Sequence, residues 1–351
     1  MGLSPLGSLS RNSGKTGKGV LINKQFMSLL GIDIGGTKIA FAVFSGEGAI
    51  ISRETILIEG RKGDEVGAVI TGTIEKLQVG MTAEGHRIDS VGISIPGIYR
   101  NKTGTVWAPN IPGWDDYPLL DKAKDAAVDI PVVIDNDRAC SMLGEMWKGN
   151  AKGCRNAVFL AVGTGIGAGI LVNGEILRGE SDIAGATGWM ALKTPFERKY
   201  SDCGCFEYYA SGSGMVKVAM ETAKEFNYYH GDLADINDEK LTAGDIFEAF
   251  ENGDPVARRV VDQAIALWGM AVANFVSIFN PEKIILGGGI FGQAEKYLQQ
   301  IKDEAARWAQ PISFREVSVE VSVLKGDAGV YGAAYLALMN YGKNFIKNNN
   351  V

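Results

Sequence analysis

The sequence predicts an α/β protein made of two similar halves, each a sheet covered by helices, with a cleft between them. Three observations carry this reading. Apolar β-forming runs alternate with helical-period segments along most of the 351 residues, the pattern of sheets covered by helices. A strand, a glycine turn and a return strand occur twice, about 128 residues apart, which suggests internal duplication. Glycine supplies 46 residues, about twice its usual share of ~7%. These glycines cluster at turns beside apolar runs, where a backbone can approach another group closely.

The elements follow in order. "SLLGIDIGGTKIAFAVFSGEGAIISRETI" reads as a three-strand meander over 28–34, 38–44 and 49–56. Residues 63–79 have helical period, 89–97 form a buried strand, and 131–135 form another that runs straight into a helix over 137–148. "NAVFLAVGTGIGAGILVNGEILRG" (156–179) repeats the meander, with Asn173-Gly174 as a hairpin turn. Helices are expected near 206–226, 242–252 and 254–279. The strand "KIILGGG" (283–289) feeds a helix over 293–308, and strand 316–324 gives way to a small-residue helix from about Ala328. Residues 1–27 carry four basic residues, no acid and no apolar run, and read as a disordered tail.

Composition excludes several classes. A net charge of −6 argues against a broad nucleic-acid footprint, which needs cations to neutralise phosphates. Four cysteines in so long a chain are no disulfide framework and fit a reducing, cytoplasmic setting. The sixteen uncharged residues 157–172 fall short of the ~17–25 a spanning helix needs, and Gly163-Thr164-Gly165 divides them into two strands.

The chemistry begins at the glycine turns. In "DIGGTK", Asp33 ends a strand, Gly35-Gly36 turn, and Thr37-Lys38 begin the return; Gly163-Thr164-Gly165 does the same in the second half. Bare backbone lets consecutive N–H groups point at one object, and phosphate accepts many such bonds. Either turn alone is equally a tight hairpin. Gly287-Gly288-Gly289 sits where a strand meets a helix, at the edge where α/β sheets collect ligands; close packing also selects glycine there. Asp137, two residues beyond a buried strand, is either a helix cap or a general base facing the cleft. Phosphoryl transfer to an alcohol needs positioned phosphates, Mg²⁺ and one such carboxylate.

Seven segments together, "GIDIGGTK", "ISIPGI", "WAPNIPGW", "VVIDNDRAC", "FLAVGTGIGAGI", "NPEKIILGGG" and "GDAGVYGAA", resemble the ROK family of sugar kinases and related repressors, of the hexokinase–actin–Hsp70 superfamily. The likeness covers essentially 28–340. It implies two ribonuclease-H-like (actin-like ATPase) domains closing over ATP, Mg²⁺ and a sugar. It divides the chain into 28–136 with about 333–351, and 137–332. By match to the family pattern, Asp33, Gly35, Gly36, Thr37 and Lys38 would hold phosphate and Mg²⁺ from one side. Gly163, Thr164 and Gly165 would hold it from the other, with Gly287 and Gly288 near adenosine. Asp137 would be the catalytic base, and Asn110, Asn136, Asp137 and Glu207 would contact the sugar. The resemblance also implies a homodimer, with no nucleic-acid or membrane partner.

One motif departs from the family. Its zinc and sugar pattern runs roughly Ala-Gly-Glu-x-Gly-His, then Cys-x-Cys-Gly-x-x-Gly-Cys-x-Glu. Here "AGATGWM" (184–190) puts Ala186 for the glutamate and Trp189 for the histidine. Cys205 and Glu207 match, Arg198 and Tyr200 stand where two cysteines are expected, and Cys203 falls on a variable position. A structural zinc wants four Cys or His ligands, so no metal is expected at these remnants. Lost hydroxyl-binding groups change discrimination between sugars strongly. The expectation is therefore an ATP-dependent hexose kinase. A degenerate member that binds without efficient transfer, or a sugar-responsive regulator, is the alternative.

Overall fold

The computed structural model describes residues 27–226, 229–233 and 240–348. The expected tail, Met27 apart, lies outside the described residues. The first half opens with β1 (Ser28–Ile34), β2 (Lys38–Ser45) and β3 (Ile50–Leu57), followed by α1 (Gly63–Ala83) and β4 (Ser90–Ile95). A small hairpin, β5 (Ile98–Arg100) with β6 (Thr105–Trp107), precedes α2 (Leu119–Ala127), β7 (Val132–Asn136) and α3 (Asp137–Lys148). The second half repeats the plan with β8 (Ala157–Val162), β9 (Ile166–Val172) and β10 (Glu175–Ile176). There follow α4 (Cys205–Ala210), α5 (Gly212–Glu225), α6 (Ala243–Glu251) and α7 (Pro255–Phe279). The chain then runs through β11 (Lys283–Gly287), α8 (Phe291–Ala294), α9 (Leu298–Trp308), α10 (Pro311–Glu316), β12 (Ser318–Val321) and α11 (Ala328–Asn348).

The two sheets have one plan. Their strand orders are β3-β2-β1-β4-β7 and β10-β9-β8-β11-β12. In each, an antiparallel meander is extended by two strands parallel to its first strand. Parallel pairing brings carboxyl ends to one edge. Asp33 lies opposite Ser94, and Ile95 opposite Asn136, so the residues after β1, β4 and β7 share that edge. Gly287 likewise lies opposite Ala161.

Each half has its own core. Ile32, Phe41, Ile70, Val91 and Trp114 belong to the first, and Leu160, Phe206, Trp268, Val272 and Leu286 to the second. The 25-residue α7 is long and apolar enough to cross a membrane by length and composition, but it fills the second core, packed by α4, α5, α6 and α9. The helix expected over 206–226 is two helices. Ser211 breaks it, accepting a hydrogen bond from Gly214 N (3.0 Å) to cap α5. The β5–β6 hairpin, α2 and α10 add to the elements expected.

α11 joins the halves. Ala328 packs with Met142, Phe159 and Ile285, while Val330, Ala334 and Ala337 pack with Leu29, Ala42 and Phe44. Glycines admit the helix this closely: a Cβ on Gly92 would stand 1.9 Å from Ala333 O, and one on Gly332 only 1.6 Å from Cys140 O. Part of the glycine excess therefore serves helix packing.

Candidate active site

The site is built around the starts of α3 and α11. Asp33, next to last in β1, has its carboxylate against Gly329 in the first turn of α11, where a Cβ would come 2.5 Å from Oδ2. Burial pushes this carboxyl's pKa up, Ser94 and Lys38 oppose the shift, and Asp327 adds to it. Gly35 N donates to Lys38 O (2.9 Å), closing the turn and leaving Gly36, Thr37 and Lys38 exposed. Asn110, also exposed, stands beside that turn, 3.6 Å from where a Cβ on Gly36 would sit.

The helix cap at α3 belongs to Asn136, so Asp137 is not the capping residue. Asn136 Oδ1 accepts from Ala139 N (2.9 Å) and its Nδ2 donates to Asp135 Oδ1 (3.3 Å). Its carboxamide is largely committed to the protein, leaving one amide hydrogen for any ligand. Asp137 is the first helical residue. Its carboxylate accepts from the neighbouring Arg138 N (2.9 Å), lies 3.9 Å from Arg138 Nε and is 50% exposed. Protein mass around it raises the pKa to about 6; Arg138 opposes that shift and Asp33 reinforces it. Asp33 and Asp137 thus lie close enough to repel.

In the second half, Gly163 N donates to Gly165 O (2.9 Å), and Thr164 is exposed. Gly212 N, opening α5, donates to Gly163 O (2.7 Å). Glu207, in the first turn of α4, accepts from Ile166 N at 2.6 Å and lies 2.8 Å from a Cβ built on Gly165. Burial raises its pKa, while Ile166 N–H and Lys217 restrain it. The expected sugar residue therefore sits on the second glycine turn. α3 links the two groups: Arg138, next to Asp137, lays its stem over Gly167 of β9, one residue from Glu207's partner.

The third glycine cluster divides by role. A Cβ on Gly287 would strike Phe159 and one on Gly288 would strike Val162 O at 2.3 Å, so these two are held by packing. Gly289 has open space around it. Together they line a cavity of about 200 Å³ with Phe291, Val321 and Lys325. Lys325 begins the turn that carries Asp327, whose charge acts on Asp33, and that leads into α11.

Two further contacts escaped the sequence reading. Arg178 Nη1 reaches buried Asp135 Oδ1 at 2.6 Å, tying the second half to the strand that carries Asn136. Arg53 forms a two-pronged pair with Asp327 at 2.6 and 2.7 Å. Neither has a local signature, since the partners are 43 and 274 residues apart. The orientation of Asp33 on Gly329 also depends on tertiary placement.

Among the described residues, no group of three or more His, Cys, Asp or Glu side chains could hold a metal. Mg²⁺ does not need one, because it is usually bound by one or two carboxylates with substrate phosphates and water. Asp33 fits that part: a carboxylate that Ser94 and Lys38 compensate only in part, with like charge from Asp327 and Asp137 nearby.

Two sheets of the same order, each with a glycine turn after its first strand, define the actin-like ATPase class. The chain belongs to the ROK family, whose model matches residues 29–340. A glucokinase of Halalkalibacterium halodurans is 34% identical over 315 residues, spanning 88% of this chain and 94% of that one. A ROK hexokinase from Thermus thermophilus superposes with a TM-score of 0.75 at 28% identity, covering 90% of this chain and 100% of that one. A ROK family glucokinase from Streptomyces griseus, in complex with glucose and AMPPNP, gives 0.72 at 31% identity, with 89% and 99% covered.

Proposed function

We propose that the protein is an ATP-dependent kinase of a hexose or hexose derivative, with Asp137 as the general base. The observation that carries this reading is the state of that carboxylate. Asn136 takes the cap, so Asp137 is left half exposed and ionising near pH 6. A base with a pKa near the working pH accepts a hydroxyl proton most effectively. The activities of the related glucokinase and hexokinase support the same assignment.

In this mechanism a sugar hydroxyl gives its proton to Asp137 while its oxygen attacks the terminal phosphorus of ATP, and ADP leaves. The N–H groups around Gly35–Thr37 and Gly163–Gly165 cradle phosphate oxygens, with Lys38 adding positive charge. Gly287–Gly289 wall the adenosine end. Bound Mg²⁺, with Asp33 as a protein ligand, would neutralise developing charge on the phosphates. Glu207, Asn110 and the remaining amide hydrogen of Asn136 orient the sugar. The reading places 28–136 with the chain from about 333 in one lobe and 137–332 in the other. It includes a homodimer, on the family likeness alone. A cytoplasmic location is supported by four cysteines that are all free thiols.

A coupled ADP-release screen over glucose, mannose, fructose, allose and N-acetylated hexosamines tests the function. One robust substrate is the expected result. Silence across that panel with ATP binding intact would instead favour a binding-only protein, the reading Ala186 and Trp189 suggest. With the substrate in hand, Asp137→Asn should lower kcat at least ~10²-fold, the lower end for losing a general base.

A further inference from the structure

The loop leading into α4 is where the sequence departs from the family's zinc pattern, and the residues present do not fit that metal. Cys203 is half-buried and falls on a variable position of that pattern, Arg198 and Tyr200 occupy two of its cysteine positions, and a structural zinc wants four Cys or His ligands. Tyr200, at an expected cysteine position, is 3% exposed and bonded elsewhere. Its hydroxyl donates to Glu197 Oε1 at 2.6 Å and lies 2.9 Å from the Tyr209 hydroxyl, which is 3.3 Å from the same oxygen. The bond from Tyr200, then Lys199, hold the Glu197 carboxyl below its ordinary range.

The cluster extends around one cation. Lys199 Nζ is 3.1 Å from Glu197 Oε2 and 3.7 Å from Glu221 Oε2. It stands over the rings of Tyr208 and Tyr209 at 5.0 and 5.4 Å. Tyr208 donates in turn to Glu221. The rings of Tyr200, Tyr208 and Tyr209 meet edge-on, with centroids 5.2–5.9 Å apart, a favoured aromatic geometry. Tyr208 and Tyr209 directly follow Glu207 on α4. Whatever holds these two rings fixes the helical turn that sets Glu207 on Ile166 N.

We propose that this knot of phenols, carboxylates and an ammonium group does the structural work of a metal, tying the 193–204 loop to α4. In this chain it positions Glu207 toward the sugar without zinc. Tyr200, Tyr209, Glu197 and Lys199 are thus positioning residues for sugar binding. The sugar-binding part rests on the kinase reading; the metal-free part does not.

Two measurements on the intact protein and one variant test it. Protein purified without chelator is analysed for bound metals, and its thermal unfolding is compared with and without EDTA. No bound zinc and an unchanged Tm are expected; one zinc per chain, or a Tm lowered by chelation, overturns the proposal. Tyr200→Phe should raise the sugar KM roughly 10-fold, the scale of one hydrogen bond to a charged group, while leaving the ATP KM alone. That split marks lost sugar positioning rather than general damage. An unchanged sugar KM, or equal losses toward ATP and sugar, also overturns it. If no sugar is turned over, the kinase reading falls, and the metal and unfolding measurements still decide this one.

Discussion

Asp137 owes its chemistry to Asn136. All three residues of Asp135-Asn136-Asp137 are good helix caps, so sequence alone leaves the capping residue undetermined. The structure assigns the cap to Asn136 and the buried ion pair to Asp135, which frees Asp137. A base must be deprotonated to act. With a pKa raised to about 6, kcat/KM should therefore fall as pH drops through that value and level off above it. A pH–rate profile with no acid limb near there would remove Asp137 from the role. A raised carboxyl pKa also means that ionising the group costs stability as pH rises through 6. Asp137→Asn should accordingly unfold at an equal or higher temperature than wild type at pH 8. Trp189 is 58% exposed, so it fills no vacated volume. It follows Gly188, whose Cβ would lie 2.8 Å from Glu207 Oε2, so its backbone adjoins the carboxylate proposed to bind the sugar. Trp189→Ala should raise the sugar KM ~3- to 10-fold, the scale of about 1 kcal/mol of aromatic contact, with Tm unchanged. A KM equal to wild type would show the ring to be idle.

The strands were the most legible elements, because period-2 apolar runs between glycine turns are a strong local signal. β1 is found at its expected bounds and α3 likewise. Short pieces such as β5, β6 and α10 carry too few residues to establish a period. The break at Ser211 had a readable signal, a serine ahead of a helical run, but the apolar pattern continues across it. For α11, small residues were legible, and what they admit was not. Two of its glycines make opposite predictions. Alanine ordinarily favours a helix over glycine by roughly 1 kcal/mol. At Gly332 the new Cβ would meet backbone at 1.6 Å, and overpacking of this kind costs about 1–3 kcal/mol. Gly332→Ala should therefore lower Tm by several degrees. At Gly329 the Cβ would meet the Asp33 side chain at 2.5 Å, which can swing away. Gly329→Ala should keep most of its Tm and lose kcat, because it displaces Asp33, the carboxylate proposed to act on the phosphate side. Melting curves and turnover of both variants, measured together, check the contrast; equal behaviour would refute it.

At the scale of the molecule, the duplication was legible because each sheet is dictated by its own meander and two crossover strands. The ties between halves were not, since they join residues with no common period. Arg178–Asp135 is the most consequential of them. Asp135 is 2% exposed and the Arg178 side chain 37% exposed, so the pair is desolvated on one side only. Removing one partner of a fully buried pair costs about 3–5 kcal/mol. Water reaching Arg178 should bring that toward about 1–3 kcal/mol here. In Arg178→Ala, Asp135 retains only the donors of Asn136 among the described residues, and its unbalanced charge pulls on the residue that caps α3. Stability and kcat should fall together, since Asp137 is the next residue. Asp135→Asn removes the charge at its source, so the double variant should recover part of the loss. The coupling between the two substitutions should exceed ~1 kcal/mol, as for residues in one network. Arg53–Asp327, with side chains 42% and 33% exposed, should contribute only about 0–1 kcal/mol and serves as the control. Denaturant unfolding of the wild type, the two single variants and the double variant gives the coupling directly. Strict additivity at 178 and 135 would mean that this pair does not couple the two halves.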